Sequence, residues 1–498
     1  MNIQEAKEEI IHTLQAYLRK DEDGEYTFPA VHQRPILLIG PPGVGKTAIM
    51  EQVAAECGVG LVAYTMTHHT RQSAVGLPKI VEKTYNGHPM TVTEYTMSEI
   101  IASVYDAMET SGNREGILFL DEINCVSETL APTMLQFLQN KTFGSPRLPA
   151  GWVVVAAGNP PEFNKSVRDF DVVTLDRVRQ IEVEANLSVW LDYAREKGLH
   201  GAVISYLTLK SDRFYTVERK NGELSFVTAR GWEDLSRILQ SYETLNVPVT
   251  EALTSQYLHR NETARDFAAY YRLYRKYGTD YGISELLDGT LSEESYRDKA
   301  AMAAGGSFDE RVSVVSLILE GLQARLRAYC ELDERAVGLH SVLRRFRGLS
   351  QPLPDFIAAN EKALQVKREN KLISREEVRR ELWILGRLRQ MEDAIKQQRI
   401  DGSEAAFACM KAQFADDLVL RKASVSQVGR ALDNAFRFAL DSFGQGQELT
   451  LLVTYLTKIP DAQNYLRLHG CGAYLTFSNV LLYHAREEAL RQACRELL

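Results

Sequence analysis

Residues 36–47 read Ile-Leu-Leu-Ile-Gly-Pro-Pro-Gly-Val-Gly-Lys-Thr, an apolar run followed by a glycine-rich turn and then Lys46 and Thr47. Glycines in such a turn let successive backbone N–H groups point inward around a polyphosphate, and the helix that follows adds its positive dipole end. Lys46 is expected to reach the outer phosphates, and the Thr47 hydroxyl is expected to bind Mg²⁺. The sequence therefore predicts a nucleotide-binding loop at residues 40–47.

Residues 117–120 form a second apolar run, and Asp121 and Glu122 follow it directly. A buried strand here would deliver Asp121 beside the phosphate loop, where a carboxylate holds Mg²⁺ through water molecules. Glu122 would face the space beyond the outer phosphate, where a carboxylate orients and deprotonates an attacking water. The plain alternative is an ordinary acidic turn, but the phosphate loop upstream favours the catalytic interpretation. The predicted magnesium ligands are Thr47 and Asp121, and the predicted nucleotide-binding residues are Gly40, Pro41, Pro42, Gly43, Val44, Gly45, Lys46, Thr47, Ala48 and Asp121.

A third apolar run, residues 152–158, ends at Asn159 and Pro160. An amide at this position is able to hold the attacking water or contact the γ-phosphate of a bound nucleotide. The alternative is a turn residue before proline, a position that asparagine favours. The neighbouring motifs favour the catalytic interpretation.

Two arginines further along the chain are candidates for charge stabilisation. Arg177, in the run Thr174-Leu-Asp-Arg177-Val-Arg179, is expected at the end of a helix, from where it would face the γ-phosphate of a neighbouring subunit. Its alternative is a helix C-terminal cation favoured by the macrodipole, and Arg179 is the weaker candidate for the same role. Thr228 is expected to cap a helix whose first turn holds Arg230, aimed back at the nucleotide; the less favoured alternative for Arg230 is a surface salt bridge.

Strand and helix patterns alternate up to about residue 185, which predicts a parallel sheet with helices on both faces, and ligands in such sheets lie beyond the carboxyl ends of the strands. An amphipathic helix is expected first, at residues 3–20. The predicted strands are 35–40, 61–65, 117–121, 152–158 and about 180–184, and the predicted helices are 46–57, 98–110, 127–139 and about 169–178.

Two hairpins and a helical remainder complete the prediction. The segment 64–97 is too long for a plain connection, and its last part reads as a β-hairpin. His68 and His69 within it would point in opposite directions on a strand and lack acidic or cysteine companions, so no metal is expected there. A second hairpin is expected near residues 214–227, with Asn221-Gly222 as its turn. The predicted domains are 1–34, a lead-in; 35–185, the α/β nucleotide-binding domain; 186–285, a helical lid; and 286–498, an all-helical extension.

Composition is that of an ordinary globular protein: 498 residues, 45% hydrophobic, 25% charged and a net charge of −8. The chain has neither an apolar run long enough to span a membrane nor a signal-peptide pattern, so a cytoplasmic location is expected. Six cysteines are scattered without a CxxC pair, which argues against a zinc site or a disulfide framework. The acidic balance disfavours nucleic-acid binding, and the basic segments 343–347 and 375–389 are interpreted as solvated helix faces.

The order Gly-Pro-Pro-Gly-Val-Gly-Lys-Thr, Leu-Asp-Glu-Ile-Asn, Ala-Gly-Asn-Pro and Leu-Asp-Arg, followed by a helical arginine, resembles the MoxR family of AAA+ ATPases over residues 30–240. The resemblance implies a hexameric ring that hydrolyses ATP with Mg²⁺ and remodels or assembles client proteins, often with partners that carry a von Willebrand A domain. It assigns the catalytic roles to Lys46, Glu122, Asn159, Arg177 and Arg230. The chain departs from the family in having Val178 where phenylalanine is usual, and in its long helical extension.

Three functions therefore stand as alternatives. The first is a ring ATPase that remodels a protein client. The second is an ATP-loaded switch or scaffold whose hydrolysis is incidental, against which the presence of Glu122 argues. The third is a nucleic-acid-associated motor subunit, which the acidic balance and the lack of a basic or aromatic platform disfavour.

Overall fold

The structure, a computed structural model, describes residues 1–30, 32–68, 72, 74, 76–85, 88–143, 146–163, 170, 172–220, 223–348, 351–369, 373–400 and 403–479. The chain divides into two compact units. The first comprises Met1–Trp190, Asp212–Asp234 and Tyr257–Arg260, and the second comprises Leu191–Ser211, Leu235–Gln256 and Asn261–Leu498. The predicted division at residues 34, 185 and 285 stays a prediction.

Strands and helices follow one another in the order that the sequence predicts. The strands are β1 (Ile36–Ile39), β2 (Gly60–Thr65), β3 (Pro78–Tyr85), β4 (His88–Tyr95), β5 (Gly116–Asp121), β6 (Trp152–Gly158), β7 (Arg179–Glu182), β8 (Thr216–Lys220) and β9 (Glu223–Val227). The helices are α1 (Ile3–Tyr17), α2 (Lys46–Cys57), α3 (Glu99–Ser111), α4 (Ala131–Asn140), α5 (Val172–Leu175), α6 (Leu187–Glu196), α7 (Gly201–Leu209), α8 (Ala229–Thr244), α9 (Glu251–Tyr257), α10 (Asn261–Tyr281), α11 (Ile283–Asp288), α12 (Glu293–Gly305), α13 (Phe308–Arg347), α14 (Leu353–Glu369), α15 (Arg375–Gln397), α16 (Ser403–Phe443), α17 (Gln447–Lys458) and α18 (Pro460–His469).

A five-stranded sheet forms the centre of the first unit, in the order β2-β5-β6-β1-β7. All of its paired strands are parallel. Its inner strands are continuous apolar runs because both faces are covered, as parallel sheets require. The predicted fold class, an α/β nucleotide-binding sheet followed by a mostly helical part, is confirmed.

Alternate residues of the sheet enter two separate cores. On one face, side chains of α1 and α2 pack against every second residue of three strands: Ile36 and Leu38, Ile117 and Phe119, and Val153 and Val155. On the other face, side chains of α3 and α4 pack against Leu37, Leu118, Leu120, Val154 and Ala156. This two-sided packing fixes the register of the strands and therefore the height at which each strand ends.

Three predicted helices are shorter than expected. The first, predicted at 3–20, ends at Tyr17. The helix predicted at 127–139 begins only at Ala131, because the chain first makes a 3₁₀ turn at Ile123–Cys125 and is extended at Val126; Pro132 then occupies the first helical turn, where proline is tolerated. The helix predicted at 169–178 is limited to Val172–Leu175, where three consecutive β-branched residues disfavour a longer helix. Residues 169 and 171 lie outside the described part of the chain.

Both predicted hairpins are present as antiparallel pairs. Strands β3 and β4 pair from Pro78–Tyr95 to Tyr85–His88, and β8 and β9 pair from Thr216–Val227 to Lys220–Glu223. The turn residues of both hairpins, 86–87 and 221–222, lie outside the described residues, as does His69. Within the described ranges, no helix is both long enough and apolar enough to cross a membrane.

Long helices form the second unit. An apolar stripe on α13, formed by Val315, Leu319, Leu322 and Leu326, is buried in one core. A capping box begins α15, with Ser374 and Glu377 bonded to each other's backbone N–H. Leu382 on α15 is 48% exposed and lies outside the buried stripe of that helix. Arginines of the basic segment of α15 form ion pairs, such as Arg380–Glu334 and Arg389–Glu361, and in the basic segment of α13 Arg345 donates to Asn360 Oδ1.

Candidate active site

The predicted phosphate loop lies between β1 and α2, at the carboxyl end of the central strand pair. Gly43 and Gly45 have φ values of +77° and +98°, in the left-handed region that other residues rarely adopt. Gly40 is needed for a different reason, because a Cβ atom there would lie 2.5 Å from the Val183 carbonyl oxygen. No side chain among the described residues caps the start of α2, so its first N–H groups stay open to an anion. The loop thus has the features that bind polyphosphate.

Lys46 is held at the base of this loop. Its Nζ donates to the carbonyl oxygens of Gly40 at 2.6 Å and Pro41 at 2.9 Å, and to Asn159 Oδ1 at 3.0 Å. Only 8% of the residue is exposed. The pKa of Lys46 is lowered to about 8, chiefly by burial; the charge of Arg230 adds to this shift, while the carboxylates of Asp121 and Glu122 oppose it. A polyphosphate beside Nζ would raise the pKa, so anion binding and full protonation of Lys46 favour each other.

Thr47 and Asp121 lie together, as the magnesium prediction requires. The Thr47 hydroxyl donates to Asp121 Oδ2 at 2.8 Å, which places two oxygen ligands of the kind Mg²⁺ prefers side by side at the phosphate loop. The residues present therefore fit the metal. In the described ranges no group of three or more His, Cys, Asp and Glu side chains forms a metal cluster, and phosphate and water oxygens would complete the Mg²⁺ shell.

Glu122 follows β5 in a left-handed conformation, with φ +56°. Its backbone N–H donates to Asp121 Oδ1 at 2.9 Å. Its Oε2 accepts a hydrogen bond from the Thr67 hydroxyl at 2.9 Å. Thr67, in the 3₁₀ turn after β2, was not predicted from the sequence. The order of residues along the chain gave no signal for it, since the contact depends on β2 and β5 being neighbours in the sheet.

Arg230 lies beside the phosphate loop. A Cβ atom built at Gly43 would lie 3.1 Å from Thr228 Cβ and 3.4 Å from Arg230 Cβ. The Thr228 hydroxyl accepts a hydrogen bond from Gly231 N at 3.1 Å, which confirms the predicted cap of α8. Arg230 is exposed and makes no side-chain hydrogen bond or ion pair within the described residues. Its guanidinium is therefore available to a ligand in the loop.

Tyr215 is a second residue that the sequence did not reveal. Its hydroxyl donates to the Pro42 carbonyl oxygen at 2.9 Å, and burial raises its pKa well above the usual range. It directly precedes β8, while Thr228 directly follows β9. The hairpin is thus joined to the phosphate loop at both of its ends.

Arg177 does not lie at the phosphate loop of its own chain. Arg179, the first residue of β7, pairs with Ile36 at the start of β1, so Arg177 lies at the opposite edge of the sheet from the loop, at least about 13 Å away. It is exposed, without a side-chain partner in the described residues, beside a surface cavity of about 390 Å³ that Arg34 and Asp176 also line. Arg179 is instead engaged by Glu9 and Thr13 of α1. Of the two, only Arg177 is free to contact another molecule.

The fold and the loop define a nucleotide-binding α/β domain of the phosphate-loop class. Residues 36–175 match the model of a known family, the ATPase family associated with various cellular activities (AAA). This part of the chain is an AAA domain, and such a domain implies ATP-dependent activity. A comparison with curated proteins finds no match to the chain. The family match ends before Arg177, Tyr215 and Arg230, so these three residues depend on the structure alone for their placement.

Proposed function

We propose that this protein hydrolyses ATP to ADP and phosphate. The observation that carries the proposal is the convergence of Lys46, Thr47, Asp121, Glu122 and Asn159, from three different segments, at the carboxyl edge of one parallel sheet. Lys46 would bind the outer phosphates, and Asn159, already bonded to Lys46, would contact the γ-phosphate or the attacking water. Glu122 would accept the proton of that water.

Thr47 and Asp121 would hold Mg²⁺, which when bound neutralises charge on the outer phosphates. Arg230 would add a further positive charge from α8. Since Arg230 lies within reach of Gly43, closure of this segment on a bound nucleotide would couple the phosphate state to the position of the helical part that follows. We retain the division into a nucleotide-binding domain at 35–185, a lid at 186–285 and an extension at 286–498 as part of the proposal.

We further propose that the protein works as a hexameric ring of the MoxR type, in which Arg177 completes the site of the neighbouring chain. Support comes from geometry: Arg177 is exposed, unpaired within the described residues and too far from its own phosphate loop to act there. The sequence resemblance supports chaperone-like remodelling of a protein client, with a partner that carries a von Willebrand A domain.

The test is the mass of the Glu122→Gln variant by light scattering, with and without Mg-ATP, next to steady-state ATP turnover of the unchanged protein. Removing only the base keeps the nucleotide bound. We expect turnover in the unchanged protein, its loss in the variant, and an ATP-dependent rise to about six subunits, the number that the family resemblance implies. Glu162→Gln, an exposed carboxylate outside the site, is the matched control. A single-subunit mass with ATP bound would contradict the ring, and turnover that survives Glu122→Gln would contradict the assigned base.

A further inference from the structure

The 3₁₀ turn after Glu122 contains a buried amide, Asn124, that makes two hydrogen bonds to one backbone unit. Asn124 Nδ2 donates to the Asn159 carbonyl oxygen at 2.8 Å, and the Asn159 backbone N–H donates to Asn124 Oδ1 at 3.3 Å. Only 6% of Asn124 is exposed. A side-chain amide that both donates and accepts in this way replaces a neighbouring strand.

Such a replacement is needed at this place in the sheet. The parallel pairing between β5 and β6 ends at Leu120 and Ala156. Beyond it the chain turns away at Glu122, which has a positive φ, so β5 offers no backbone groups to Asn159. Buried backbone groups without a partner are costly. Asn124 supplies the missing partner and holds the end of β6 in place.

The neighbouring glycine shows how closely the amide approaches the strand. A Cβ atom at Gly158 would lie 2.6 Å from Asn124 Oδ1 and 2.8 Å from Asn124 Cγ. Any larger residue at 158 would displace the amide and break both bonds to Asn159. The hydrogen bonds between Asn124 and Asn159 therefore depend on glycine at position 158.

We propose that Asn124 is a positioning residue for ATP hydrolysis, which acts by fixing the backbone of Asn159 so that the Asn159 side chain meets the reacting phosphate. The inference rests on the proposed ATPase function. With both backbone groups of Asn159 bonded, only its side-chain torsions stay free, and these place Oδ1 3.0 Å from Lys46 Nζ. A shift of about 1 Å in a group that contacts the reacting atoms costs on the order of 100-fold in rate.

An ionised aspartate at position 124 would have the same shape but could not donate to the Asn159 carbonyl oxygen. It would also add a carboxylate beside Asp121 and Glu122. Asn124→Asp is therefore the isosteric test variant, and Gly158→Ala should reproduce its effect from the other side of the contact. We expect each change to lower kcat by roughly 10- to 100-fold while the Kd for ATP changes by less than about 3-fold.

The deciding experiment is a double-mutant cycle of Asn124→Ala and Asn159→Ala, with kcat, the Kd for ATP and Tm measured for each protein. If Asn124 acts through the Asn159 side chain, Asn124→Ala lowers kcat in the unchanged protein but has no further effect in the Asn159→Ala background. The loss of Tm, by contrast, should be the same in both backgrounds, because the backbone bonds of residue 159 do not need its side chain.

Asn434→Ala is the matched control. Asn434 also donates to a backbone carbonyl, that of Leu287 at 3.0 Å, beside a glycine, but in the helical second unit. It should lower Tm without changing kcat. Equal losses of kcat in both backgrounds of the cycle, or an unchanged kcat in Asn124→Asp and Gly158→Ala, would overturn the positioning role alone. Absence of turnover in the unchanged protein would overturn the proposed function and this inference together.

Discussion

Arg177 and Arg179 are separated by one residue, yet the structure gives them opposite expected behaviour on substitution. Arg177 is exposed and has no side-chain partner within the described residues, so Arg177→Ala should leave the free energy of unfolding unchanged to within about 0.5 kcal/mol. If its guanidinium stabilises charge on a neighbour's γ-phosphate, the same change should lower kcat by about 10³-fold or more. ATP binding, which depends on the phosphate loop, should stay nearly the same.

Arg179→Ala should do the reverse. Its guanidinium contacts Glu9 and the Thr13 hydroxyl of α1, but its side chain is 42% exposed and that of Glu9 is 35% exposed. Solvent screening therefore limits the expected loss to about 1 kcal/mol of unfolding free energy. Turnover should be unaffected. Chemical denaturation and steady-state turnover of both variants measure the two effects.

Mixing inactive proteins tests whether Arg177 acts on another chain. The Arg177→Ala protein keeps an intact phosphate loop, and the Glu122→Gln protein keeps an intact Arg177. Equimolar mixing should restore activity, since a site of the first protein next to an arginine of the second has every group. If the mixture stays inactive although the two proteins assemble together, or if Arg179→Ala is the change that abolishes turnover, the assignment of Arg177 is wrong.

Two further changes test contacts outside the family match. Tyr215→Phe removes the donor to the Pro42 carbonyl oxygen and should cost about 1 kcal/mol, seen as a roughly fivefold weaker Kd for ATP by titration calorimetry; an unchanged Kd would show that the contact does not shape the loop. Glu243 is half-buried, which alone raises its pKa, but His200, together with the Tyr271 hydroxyl and the charge of Arg275, lowers the pKa to about 2 from 4.5. This stabilisation is present above pH 4.5 and is lost toward pH 2, so Glu243→Gln should cost about 2 kcal/mol in urea unfolding at pH 6 and nothing near pH 2. An equal loss at both pH values would contradict this explanation.

The motifs of the phosphate-binding region could be predicted from the sequence because each one joins an apolar strand to the residue that follows it. The end of a buried parallel strand fixes the height of that residue, which is why Asp121 and Asn159 lie where the sequence places them. Helix starts were less predictable, as α4 shows. There a helix is predicted from residue 127, but the chain after β5 first forms the 3₁₀ turn Ile123–Cys125 and is extended at Val126, so the helix begins only at Ala131.

The residues that the sequence did not reveal contact the site through backbone atoms or across neighbouring strands. Tyr215 bonds to a carbonyl oxygen, Asn124 bonds to the backbone of Asn159, and Thr67 reaches Glu122 only because β2 and β5 are adjacent. Contacts of this kind produce no recognisable motif in the sequence, because a residue of any type can supply the backbone partner. Only the three-dimensional arrangement identifies them.

These contacts also show how the two sides of the phosphate loop are held. On one side Asn159, fixed by Asn124, bonds to Lys46 at the base of the loop. On the other side Tyr215 bonds to Pro42, and the segment after β9 lies against Gly43. The first set lies within the AAA domain and the second lies after it in the chain. A nucleotide that alters the loop must therefore act on both, which gives the segment around β8 and β9 a direct physical connection to the state of the bound phosphate.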